Sequence, residues 1–339
     1  MTEEKKTPLP SEAQRPRKSL FEQAQDVFGA KKLAPSPVPD ELASARGSQS
    51  VRRRAKPTPD RPIDGGDGSG LGSRGLSNGP AVAIPRNPEP MSFSRNRHPI
   101  DRQRLQEKGM IVPGGPTTAL LEEFRIVKRE VLRKARENEQ RDHATSAQRV
   151  LVCSPLPDEG KTFCATNLAL AIAAEKDSEV LLVDADFAKP SVLSTLGLTS
   201  TGPGMMDALA NPNIKVQDCV LATDVPGLWV LPAGNQSSTD SEFLSSNKTK
   251  TILDQLTAGA PHRMIIFDSP PALVASPAAE LAKHVGQAIV VVRADKTGQS
   301  ALEDALSLLS HCPDVKLILN GTNFSPSGRR FGSYYGYGS

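Results

Sequence analysis

Five side chains have the types and spacing to act on a phosphate ester: Lys161, Thr162, Asp184, Asp186 and Asp268. Lys161 and Thr162 follow Gly160 directly, where a Pro- and Gly-containing loop runs into an Ala- and Leu-rich stretch. At such a loop-to-helix junction, free backbone N–H groups and the helix dipole favour an anion. A lysine there reaches the outer phosphates, and the hydroxyl that follows can ligate magnesium. The backbone of Pro157, Asp158, Glu159, Gly160, Lys161, Thr162 and Phe163 is the candidate cradle. Asp158 and Glu159 put negative charge beside the expected phosphates, and Pro155 stands where a standard phosphate loop has its first Gly. A lone Gly-Lys-Thr at a helix start would be weak evidence, and a strand-end Asp taken singly is often a helix cap. Carboxylates at 184, 186 and 268 beside that lysine and hydroxyl make a more specific signal, the set that a nucleotide triphosphate–magnesium complex requires.

Positioning these groups takes strands that end together. Val150 to Cys153 is an apolar run short enough for a buried strand, and Phe163 to Ala174 continues as a helix. Val180 to Val183 runs into Asp184, and Met264 to Phe267 into Asp268. If the backbone stays extended through Ala185, Asp184 and Asp186 point the same way, toward the C-terminal edge where open α/β sheets bind ligands. Ala288 to Val292 and Val315 to Leu319 read as further strands around a helix from about Ser300 to Leu309, with one more strand at Gly227 to Leu231. Strands alternating with helices predict an α/β fold, a doubly wound and largely parallel sheet covered on both faces.

The first 99 residues are of another kind. Of 29 prolines, 14 fall in the first hundred residues, with 17 Lys and Arg against 11 Asp and Glu. The overall charge of +3 is thus a basic tail on a slightly acidic body, too weak a bias to suggest nucleic acid. Low-complexity pieces such as Asp64 to Gly70 cannot bury enough apolar surface to offset chain entropy, so residues 1–99 are expected to be disordered. Within them Ser19-Leu20-Phe21-Glu22 has the form of a capping box, opening a possible docking helix over 19–28. Four scattered cysteines lack metal-ligand spacing and read as reduced core residues of a cytoplasmic protein; no apolar run approaches a membrane span.

Order is expected from Ile100 to about residue 325. After Pro113-Gly114-Gly115-Pro116 a helix starts at Thr117 or Thr118, with Leu121, Phe124, Val127, Val131 and Ala135 at helical spacing and Glu122, Arg125 and Lys128 on an adjoining face. The chain has three tyrosines, Tyr334, Tyr335 and Tyr337, all in the Gly- and Ser-spaced segment 326–339. A cluster on a mobile end offers hydroxyls to an active site, its own or a neighbour's, which points to autophosphorylation.

At these motifs the chain resembles the bacterial tyrosine kinases, and most closely the autokinases of exosortase and exopolysaccharide loci. Ser154 to Thr162 looks like their Walker A loop, Val183-Asp184-Ala185-Asp186 like their second Walker A motif, and Ile265 to Pro271 like their Walker B. The resemblance implies a P-loop NTPase-type fold with deviant Walker motifs, and ATP and Mg2+ as cofactors. It implies Lys161, Asp184, Asp186 and Asp268 as catalytic residues, and Thr162, Asp186 and Asp268 as the metal-holding ones. Glu122, Arg125 and Lys128 are similar to a ring-forming Glu-x-x-Arg-x-x-Arg segment, and Tyr334, Tyr335 and Tyr337 to a phosphoacceptor tail. A membrane-embedded chain-length regulator of polysaccharide export is the implied activator, which would hold the protein at the inner face of the plasma membrane. Departures are Asp158 for a Gly, Ala188 and Lys189 for two arginines, and Lys128 for the last Arg. Two alternatives stay open: a partition or cell-division-site ATPase of the same fold, and a non-catalytic nucleotide-binding regulator of polysaccharide export.

Overall fold

A computed structural model describes residues 89–140, 146–236 and 240–322. The expected docking helix at 19–28 and the tyrosine cluster at 334–337 lie outside the described residues. The described part is built on an eight-stranded sheet. In chain order the strands are β1 (Arg97–His98), β2 (Arg149–Cys153), β3 (Glu179–Asp184), β4 (Leu221–Thr223), β5 (Leu228–Leu231), β6 (Arg263–Asp268), β7 (Gln287–Arg293) and β8 (Val315–Asn320). Their spatial order is β1-β4-β5-β3-β6-β2-β7-β8. Every pairing is parallel except β4 with β5.

The central strands are apolar throughout because both faces are covered, and the pleat sends alternate residues into two cores. Leu151, Leu181, Ile265 and Phe267 face one core, while Val150, Val180, Leu182 and Ile266 face the other. The second core is closed by α1 (Arg102–Glu107), α2 (Ala119–Glu139), α3 (Lys161–Ala173) and α4 (Val192–Leu196). The first is closed by α5 (Met205–Ala210), α6 (Asp240–Leu244), α7 (Asn247–Thr257), α8 (Pro277–Ala282) and α9 (Gln299–Leu308). Helix α3 lies under α2, so nine of its thirteen residues are buried and its Ala-rich composition is a packing requirement. Helix α2 starts where Thr118 Oγ1 accepts the Leu121 N–H at 3.2 Å. Its buried stripe holds Phe124, Val131 and Ala135 as expected, but also Lys128 and Asn138, the latter donating to the Gly286 carbonyl.

The packed body begins before Ile100, which corrects the expected boundary of the N-terminal tail. Met91 and Phe93 pack on the first core, and β1 pairs with β4. Arg263 anchors this entry: its side chain is 5% exposed, donates to the Met91 carbonyl and Glu179, and lies over the Phe93 ring at 4.4 Å. A tail of polar and Pro-rich residues gives no periodic signal there, because one methionine, one phenylalanine and one arginine do the holding.

All four cysteines are buried and unbridged. Burial pushes the thiols of Cys153 and Cys164 up to about 12, which makes them inert core groups. Among the described residues no helix is long and apolar enough to cross a membrane.

Candidate nucleotide site

The parallel register puts the candidate groups on one edge. Asp184 and Asp268 are direct partners across β3 and β6, and Asp268 is also opposite Val152, one residue before β2 gives way to the loop. Three neighbouring strands therefore deliver a loop and two carboxylates to the same place, as β-strands in a parallel sheet must when their C-terminal ends are in register.

The loop from Ser154 to Gly160 turns through two left-handed residues, Asp158 at φ 60° and Gly160 at φ 97°. Asp occupies that region more readily than most side chains. Asp158 thus takes a backbone shape that glycine would favour, with its side chain exposed. At Gly160 the φ is what favours glycine; a Cβ would also lie 2.1 Å from Asn320 Nδ2 and would displace that side-chain end. Helix α3 then begins at Lys161 with Gly160 as its cap and no side chain closing its first N–H groups. Those donors are left facing the loop, the arrangement that binds phosphate.

Around this cradle the side chains interlock. Lys161 Nζ is 3.0 Å from Asp186 Oδ2. The Thr162 hydroxyl donates to Asp268 Oδ2 at 2.6 Å and lies 3.0 Å from Ser191 Oγ. Asp268 is fully buried, and among the described residues its other oxygen, Oδ1, has no hydrogen-bond partner. A buried carboxylate oxygen left unpaired is costly unless something positive shares the site. Burial, together with the neighbouring Asp184 charge, pushes the Asp268 pKa up to about 7. Burial likewise raises Asp184 to about 6, although backbone N–H groups pull against it. Two adjacent carboxylates that resist ionising fit a site completed by a cation. Thr162, Asp186 and Asp268 are the residues that would hold magnesium.

Asp184 does more than the sequence assigned to it. Its Oδ2 accepts both the Ser191 and Val192 N–H groups at 2.9 Å, which closes the start of α4. Asp186 Oδ1 accepts the Lys189 N–H. Both acids thus shape the loop after β3 as well as facing the cradle. Glu159 also departs from expectation. Its carboxylate does not sit beside the phosphate position but turns into the protein, accepting the Leu156 N–H at 2.8 Å and the Thr297 hydroxyl. Asn320, the last residue of β8, donates through its side chain to the Glu159 carbonyl at 2.9 Å. Ser191 and Thr297 were missed. Ser191 had a readable signal, a Ser after Pro190 and before an apolar pair, the form of a helix start. Thr297 had none, since nothing in sequence links it to position 159.

The three residues of the expected ring motif divide. Glu122 and Arg125 pair with each other on the outer face of α2, with side chains 25% and 41% exposed. Lys128 is turned inward and pairs with Glu175 within the same subunit.

Comparison with known proteins adds the family. A family model described as an AAA domain matches residues 159–317. The chain is 33% identical over 182 residues to the tyrosine-protein kinase ptk of Acinetobacter johnsonii, a match that covers 53% of this chain but only 24% of that protein. Its fold is that of the Escherichia coli tyrosine kinase ETK kinase domain, at a TM-score of 0.50 and 20% identity over 67% of this chain and 91% of that one. To the tyrosine-protein kinase YwqD of Bacillus subtilis it is 32% identical over 190 residues, covering 56% of this chain and 76% of that protein. With that relative matched over most of its length, and the phosphate loop and strand-end acids assembled on one sheet edge, the chain belongs to the bacterial tyrosine kinase family.

Proposed function

We propose that this protein is an ATP-dependent tyrosine autokinase that phosphorylates its C-terminal cluster, Tyr334, Tyr335 and Tyr337, and so regulates exopolysaccharide polymerisation or export. The observation that carries the reading is the convergence of Lys161, Thr162, Asp184, Asp186 and Asp268 beside one phosphate cradle. Within the 157–163 loop the phosphates are bound through the backbone N–H groups of residues 158–163, Pro157 having none. Lys161 exchanges Asp186 for the β- and γ-phosphates. Magnesium, when bound, offsets charge on the β- and γ-phosphate oxygens. The phenol oxygen of the acceptor attacks the γ-phosphorus as the bond to the β–γ bridging oxygen breaks. Asp184, poised by burial near neutrality, receives the phenolic proton. Phosphoryl transfer is mostly positioning and electrostatics, so these groups account for most of the chemistry.

The acceptors belong to a neighbouring subunit in a ring, with Glu122 and Arg125 as contacts and Lys128 supporting them from inside. A membrane chain-length regulator serves as activator and holds the protein at the inner face of the plasma membrane. The test is to incubate the protein with ATP and magnesium, with and without a cytoplasmic fragment of such a regulator, and to locate phosphate by mass spectrometry. Phosphate on the three tyrosines supports the kinase. Free phosphate without phosphotyrosine would select the partition-type ATPase, and neither product the non-catalytic regulator.

A further inference from the structure

The geometry points to Glu159 and Asn320 as a two-part latch that fixes the phosphate loop in its binding shape, with Thr297 as the catch. Glu159 is 3% exposed, although it lies in a loop whose neighbours Pro157 and Asp158 are open to solvent. Its side chain reaches back across the loop to accept the Leu156 N–H at 2.8 Å, and outward to accept the Thr297 hydroxyl. Thr297 Oγ1 is itself held, accepting the Arg293 N–H at 2.9 Å just past β7. The backbone of the same residue is gripped from another side, where Asn320 Nδ2 donates to the Glu159 carbonyl at 2.9 Å. The Asn320 side chain is fixed in turn, its Oδ1 accepting the Gly321 N–H at 2.9 Å. It fills the space over Gly160, where a Cβ would displace it. One residue of the loop is thus fastened by side chain and by backbone to two separate elements.

The consequence is local and chemical. With its carbonyl tied to Asn320 and its carboxylate tied inward, the peptide between Glu159 and Gly160 cannot flip, so the N–H groups of Gly160, Lys161 and Thr162 stay available to phosphate. The carboxylate also keeps its negative charge engaged away from the cradle. Both side chains are positioning groups, since each is engaged by the protein and acts through the loop backbone. The inference rests on the reading of this loop as a phosphate site, but not on the kinase reaction.

The test is calorimetric titration of the full chain with magnesium–ADP and, separately, with magnesium–tripolyphosphate, which carries no base. Glu159→Ala and Asn320→Ala should each weaken both ligands by about tenfold, the loss expected when a hydrogen bond in a charged site disappears. Glu159→Gln should recover most of the affinity, because its amide can accept from Leu156 and donate to Thr297. Equal affinity of the Ala variants and the parent would overturn the latch. So would a loss for ADP with tripolyphosphate unchanged, which would make Asn320 a base contact. If Glu159→Ala does not fold, Thr297→Val removes the catch alone, and parental affinity for both ligands in that variant overturns the proposal. Lys161→Met serves as the separate check on the site: undiminished tripolyphosphate binding there would sink the phosphate reading itself.

Discussion

On the proposed mechanism Asp184 carries two duties, which a pair of substitutions separates. It closes the start of α4 through two backbone N–H groups, and it stands next to Asp268 with its pKa raised to about 6. Asp184→Asn keeps an oxygen acceptor for the loop and loses the proton-accepting charge. It should melt close to the parent while its phosphotyrosine yield falls by orders of magnitude. Asp184→Ala should lose the same activity and in addition about 1–2 kcal/mol of stability, the cost of leaving such N–H groups uncapped. Urea denaturation beside a phosphotyrosine assay distinguishes the two, and an active Asn variant would remove Asp184 from the chemistry.

Among the elements, α2 shows how one motif can face two ways. The Glu122–Arg125 pair lies at the surface and is half-buried, so it contributes little to folding, about 0–1 kcal/mol. Arg125→Glu should therefore leave the melting curve nearly unchanged while reducing the particle mass measured by light scattering. Lys128 buries its aliphatic stem and pairs with Glu175, so Lys128→Ala should cost about 1–2 kcal/mol through lost packing and pairing. A parental particle mass for Arg125→Glu would remove that residue from the assembly contact. A different element, the link from α8 into β7, carries a pH dependence. His284 Nε2 donates to the Leu244 carbonyl at 3.1 Å. Burial lowers its pKa below the usual 6.5, with Arg149 and Lys283 disfavouring protonation, Glu280 favouring it, and the Leu244 hydrogen bond opposing the shift. A depressed histidine pKa means the unfolded chain takes up the proton first. The associated stability is present above pH 6.5 and is lost as pH falls below it. His284→Gln, uncharged at every pH and still able to donate, should flatten the melting temperature's dependence on pH between 7 and 5.

For the whole molecule, the site is a link between ligand and fold. Several elements meet at the cradle, so a nucleotide bound there joins β2, β3, β6 and α3. Magnesium–ADP at about a hundred times its dissociation constant should add roughly 2.7 kcal/mol to the unfolding free energy, and chelation should reverse it. The same addition to Lys161→Met should give no shift. The proposed ring carries the second prediction at this scale. In it each phosphorylated tyrosine would add about −1.5 to −2 charges, and crowded tails would repel one another. Particle mass measured before and after phosphatase treatment should rise on dephosphorylation, and an unchanged mass would dissociate phosphorylation from assembly.

Six of the eight strands, and the polar residues that meet at their ends, were legible in the residues alone; β1 and β4 were not. Val150 to Cys153, Val180 to Asp184 and Met264 to Asp268 are apolar runs with a functional end, and a run buried on both faces must be apolar whatever its neighbours are. The Gly-Lys-Thr step and the strand-end acids could be found because their chemistry demands those residue types at those places. Tertiary structure alone decided what each polar group does besides. Lys128 and Asn138 join a buried stripe, Arg263 gathers Met91 and Phe93 into the body, and Glu159 turns inward to Thr297 and Asn320. Glu159, Thr297 and Asn320 lie far apart along the chain, and the pairing of β7 with β2 and of β8 with β7 brings them within hydrogen-bond reach. Local pattern encodes which face a residue takes, whereas the partner of a buried polar side chain is set by whichever strand the fold places next to it.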